Sequence, residues 1–94
     1  MDGGFGSNIR SSVIKSIQYG TVTLPADTSL TATATISSVD TSKAALIFLG
    51  HSSGITGGHE QARIILTNAT TVTATRVAGN SNQVIVSFCV VEFV

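Results

Sequence analysis

The residues best able to do chemistry surround one glycine-rich stretch, His51-Ser-Ser-Gly-Ile-Thr-Gly-Gly-His59, followed by Glu60. If residues 50–59 fold back as a loop, the two imidazoles approach each other and Glu60 completes a set of three metal ligands. The spacing matches no standard zinc pattern, and a zinc site takes three or four ligands. The competing reading makes His51 and His59 two solvent-exposed shoulders of a loop. A symmetric trimer, bringing one histidine per chain to its axis, is the arrangement that favours a metal. The expectation is no metal and no cofactor, with His51, His59 and Glu60 as the residues that would hold one.

Nucleophilic catalysis fares no better. Ser52 and Ser53 adjoin His51, and Asp27 and Asp40 are available, but no G-x-S-x-G elbow is present to raise a serine into a site. The five acidic residues are spread over turns and ends, so no carboxylate pair of the glycosidase kind is expected. Gly54, Gly57 and Gly58 suggest a phosphate loop, which needs a helix start and a lysine at fixed places. Residues 60–66 read as strand instead, and turn glycines are the simpler explanation. Asn68-Ala69-Thr70 matches a glycosylation sequon but reads as turn chemistry. The expectation is that this is not an enzyme and has no catalytic residue.

The elements that would carry these residues are strands. Leu30-Thr-Ala-Thr-Ala-Thr-Ile36 and Thr71-Val-Thr-Ala-Thr75 alternate threonine with small apolar residues, a period of two that places one set on each strand face. Six strands are predicted, over residues 13–24, 29–36, 43–49, 60–67, 70–77 and 83–93. In the first, the apolar residues Val13, Ile17 and Tyr19 change phase to Val22 and Leu24 after Gly20, which suggests a bulge or bend at that glycine. The third is apolar on both faces, so it is expected to be central or to lie under an interface. Residues 37–42 read as a connection with one helical turn, and Asn68-Ala69 as a tight hairpin. Cys89 reads as a small buried core residue, and a single cysteine excludes an intrachain disulfide. Residues 1–11 read as a flexible arm in which Phe5 is the one residue able to dock on a neighbour. The predicted fold is therefore all-β, a small antiparallel β-sandwich or barrel of about six strands over residues 12–94.

Composition narrows the function. The chain has 94 residues, of which 11% are charged, less than half the usual ~25%. Serine and threonine fill the gap, together about a quarter of the chain. Low charge with positive mean hydropathy argues for surface that is covered in the working state. The five basic residues are scattered, so no nucleic-acid partner is expected. The apolar runs are too short to span a bilayer as helices, and the first residues lack the pattern of a secretory leader. The hydroxyl-bearing face of Thr31, Thr33 and Thr35 with Thr71, Thr73 and Thr75 is the candidate interface. Sugar sites usually add a tryptophan or tyrosine platform, and the chain has no Trp and one Tyr, so assembly is favoured over carbohydrate binding.

From Ile14 onward the chain resembles small virion structural proteins of tailed bacteriophages. The residues carrying the likeness are Ile14-Lys-Ser-Ile-Gln-Tyr-Gly20, Ala32-Thr-Ala-Thr-Ile36 with Val39-Asp-Thr-Ser-Lys43, Phe48-Leu-Gly50, Ala62-Arg-Ile-Ile-Leu-Thr-Asn68, Thr71-Val-Thr-Ala-Thr-Arg76 and Val90-Val-Glu-Phe93. The resemblance implies a capsid decoration protein, or alternatively a tail fibre or spike module that binds a host receptor or glycan. It implies a homo-oligomer, a trimer first among the orders. The implied partners are virion proteins such as the major capsid or tail protein, within a particle assembled in the host cytoplasm.

Overall fold

The computed structural model describes residues 13–53, 62–76 and 83–94. Among the described residues, six strands run in the order β1 (Ile14–Leu24), β2 (Thr31–Thr35), β3 (Ala44–Ser53), β4 (Ala62–Asn68), β5 (Thr71–Arg76) and β6 (Val84–Phe93), with a 3-10 turn over Thr41–Lys43 before β3. They form two three-stranded sheets, β1-β6-β3 and β2-β5-β4. All four pairings are antiparallel. The fold is an all-β sandwich.

Strand alternation builds the core. Val22, Leu24, Val84, Val86, Phe88 and Val90 point inward from one sheet, and Val72 and Ala74 from the other, all buried. Half-buried Ala32, Ala34, Ala62, Ile64 and Leu66 pack against them. Large side chains on β1 and β6 thus meet many alanines on β2, β4 and β5, the size complementarity that lets two sheets approach closely. Burying each valine or leucine fully is worth about 1.5–3 kcal/mol, so β6 contributes more core than any other strand.

Several local expectations are corrected. No register shift occurs at Gly20, which pairs with Phe88 in an unbroken ladder; the irregularity in β1 lies between Ile14 and Ser16. Gly20 serves a different purpose, because a Cβ there would lie 2.7 Å from Phe88 Cζ. The ring of Phe88 occupies the space a side chain would take. The apolar phase change therefore reflects residues changing faces on a regular strand, with Ile17 and Tyr19 outside and Val22 and Leu24 inside. β3 is not central: it is an edge strand, and β6 lies between it and β1. It also runs through Ser53, beyond the predicted end at Leu49, because an extra residue at Leu49 bulges the strand and lets pairing resume at Gly50. Gly50 has φ +134°, a backbone conformation glycine adopts readily. The β4–β5 turn is Ala69-Thr70, one residue later than predicted. Asn68 flanks it and its side-chain oxygen accepts the Thr70 N–H at 3.0 Å.

The connections are fixed by polar groups. The segment between β2 and β3 crosses from one sheet to the other, with Ile36 N–H donating to Thr70 O and Val39 N–H to Ala69 O, each at 2.9 Å. Gln18 holds Ser37 by both ends of its carboxamide, at 2.9 Å each. Asp40 caps the 3-10 turn by accepting from Ser42 N–H at 3.0 Å.

Candidate functional site

The six threonines singled out in the sequence share one surface. β2 and β5 pair in register, so Thr31 stands opposite Thr75, Thr33 opposite Thr73 and Thr35 opposite Thr71. The three on β2 are exposed and the three on β5 half-buried, since β5 is central. β4 extends the surface with Arg63 opposite Thr75 and Ile65 opposite Thr73. The hydroxyls of Thr67 and Thr73 are hydrogen-bonded to each other. Arg63 is the one charged residue among the described residues of this face. Cross-strand threonine pairs support each other, and their branched side chains lose little rotamer freedom when covered.

The opposite exterior, on the β1-β6-β3 sheet, has a different character that the sequence reading did not single out. Its rows follow from the register: Ile17, Val91 and Ala45 in one, Tyr19, Cys89 and Ile47 in the next. Then come Thr21, Ser87 and Gly50, and Thr23, Ile85 and Ser52. No residue of these rows is charged. Tyr19 is 73% exposed and Ile47 43%. Cys89 is buried, 6% exposed, as expected, and it lies outside the cluster packed between the sheets, in the row between Tyr19 and Ile47. The available signal was the alternation in β6, where Ile85, Cys89, Val91 and Phe93 form a second apolar set beside the core set.

Among the described residues, the chemistry-bearing side chains are not brought together. His51 is exposed on β3, its ring centroid 6.1 Å from that of Phe48. His59, Glu60 and Phe5 lie outside the described residues. Among the described residues, no group of three or more His, Cys, Asp or Glu side chains could hold a metal ion. Asp27 and Asp40 sit in separate exposed turns. Hydrogen bonds from Ser29 hold the Asp27 carboxyl below its ordinary value, with a smaller contribution from the charge of Arg76. Ser42 does the same for Asp40, helped by Lys43 and Lys15.

Two buried ionic groups escaped the sequence reading, and both organise backbone. Arg76 is 2% exposed; its guanidinium donates to Ser29 O and Pro25 O at 2.8 Å and to Asp27 O at 2.9 Å, closing the β1–β2 loop over the end of the core. Such charge-assisted bonds offset its burial. Glu92 accepts from Asp40 N–H at 2.8 Å and from Ser16 Oγ at 3.3 Å, and lies 3.8 Å from Lys15 Nζ. It lines an open cleft of about 390 Å³ with Lys15, Ser16, Ile17, Gln18, Ser37 and Ser38. Gln18 and Glu92 are engaged with Ser37, Asp40 and Ser16, so the cleft is a junction joining the crossover to β1 and β6. No helix among the described residues is long and apolar enough to cross a membrane. No family model, curated protein or solved structure matches the chain.

Proposed function

We propose that this chain is a structural subunit of a phage virion, a capsid decoration protein that works by oligomeric surface packing. The observation that carries this reading is the near absence of charge on both broad exteriors. One is a lattice of paired threonines bearing a single arginine, and the other is apolar to hydroxyl-bearing with no charge in its four rows. Such faces can be covered without stranding ions away from water, whose burial is expensive unless they are paired. The threonine face, Thr31, Thr33, Thr35, Thr71, Thr73 and Thr75, is the surface that meets the shell. The resemblance of the sequence to small phage virion proteins supplies the setting. A subunit that binds only the assembled shell stabilises that state by mass action.

Purified protein mixed with undecorated shells tests the reading. The expected outcome is saturable co-sedimentation at hundreds of copies per particle and a raised temperature of shell disruption. Absence of binding, or a handful of copies at the tail, overturns the decoration role.

A further inference from the structure

We infer that the outer face of the β1-β6-β3 sheet is covered by a second copy of this chain, related by a two-fold axis running along β6. This rests on the assembly reading above and names the partner of one face. Rotation about an axis parallel to the central strand keeps every row at its own height and exchanges the two edge strands. Ile17 then faces Ala45 of the second copy, because both pair with Val91. Tyr19 faces Ile47 of the second copy, because both pair with Cys89. Large side chains on β1 therefore meet smaller ones on β3, and the exchange is reciprocal, as a two-fold interface requires. Val91 and Phe93 stack on themselves near the axis, and the hydroxyl-bearing rows likewise meet their own kind. A two-fold axis across the strands at the Cys89 row instead places Tyr19 over Tyr19 of the second copy and sets Val91 against Ser87.

Charge and area agree with this occupant. A face meeting itself must not oppose like charges, and these rows carry none. Three strands ~4.8 Å apart, each about ten residues long at ~3.3 Å per residue, cover about 480 Å² per copy. Two copies then bury about 960 Å² by this planar figure, close to the ~1,000 Å² of a weak specific contact. The side-chain relief of the face adds to this planar figure. The pairing is accordingly concentration-dependent, and the sheets stack at about 10 Å with strands within about 30° of alignment. The resemblance implies a trimer first among the orders; the row match requires two copies.

Sedimentation equilibrium on the full chain with charged variants decides it. The wild type is expected to rise from 9.6 kDa to twice that mass with concentration. Tyr19→Glu and Ile47→Lys are each expected to remain at the single-chain mass. Both positions are exposed, so circular dichroism melts of the variants stay near wild type. Mixing the two variants is expected to restore pairing, because the introduced carboxylate faces the introduced ammonium across one contact while the other keeps its native residues. A wild type that stays at one chain or goes to three overturns the proposal. So does an Ile47→Lys variant that still pairs, or a mixture that does not. Shell binding is measured on the same samples: a chain that pairs as described yet ignores shells sinks the decoration role alone, and a monomer that decorates shells sinks the two-fold alone.

Discussion

Two glycines show how residue-scale physics differs beneath one letter. Gly50 is needed for its backbone: its φ is +134° and nothing lies within 4 Å of where a Cβ would stand. Gly20 is needed for its emptiness, since Phe88 is 1% exposed and its ring cannot retreat from an added methyl group. In an ordinary strand Gly→Ala gains roughly 0.5–1 kcal/mol. At Gly20 the overpacking term, about 1–3 kcal/mol, wins. Gly20→Ala is therefore expected to lower the urea midpoint of unfolding with little change in m. A second residue-scale expectation concerns acid. The folded-state carboxyls of Asp27 and Asp40 lie below their ordinary value of 3.8, so their contribution is present above that pH and lost as pH falls through the lower folded values. Thermal melts from neutral pH into acid are expected to show a shallower loss below about pH 4 in an Asp27→Asn/Asp40→Asn double variant. An acid limb identical to wild type would contradict this.

At the scale of elements, the alternation of polar and apolar residues was legible wherever a strand has one wet face. Thr31–Thr35 and Thr71–Arg76 were placed with the correct residues outward because threonine and alanine differ enough in polarity to mark the faces. Ala44–Ser53 was not: with apolar residues on both sides, the alternation does not tell a central strand from an edge strand. Pairing with β6 alone resolves it. Arg76 was illegible for a related reason. Its position continues the inward set of β5, but nothing local announces that three carbonyls of a loop more than forty residues earlier will receive its guanidinium. Thr33 tests the threonine face as an element. It is exposed at the middle of the three cross-strand pairs. Thr33→Lys is expected to leave the melting temperature nearly unchanged, within about 0.5 kcal/mol. The same change is expected to weaken shell binding at least about tenfold, ~1.4 kcal/mol, in a co-sedimentation titration. Self-association of the variant is expected to match wild type.

For the whole molecule, the sequence by itself determined the class of fold and its chemical temper. Period-two patterning, one proline and turn signals at regular spacing admit strands and little else, and 11% charge leaves few ions with which to build either a catalytic site or a solvated shell. Those properties are local or compositional, so they survive without knowledge of what pairs with what. Tertiary structure alone decided which apolar residues are core and which are exterior. β6 pairs with β1 and β3 while β5 pairs with β2 and β4, and that division turns Val84, Val86, Phe88 and Val90 toward the other sheet. Ile17, Tyr19 and Ile47, equally apolar by letter, are left outside. Hydrophobicity measures the gain from leaving water and carries no direction; long-range strand order assigns each face to the core or to the exterior.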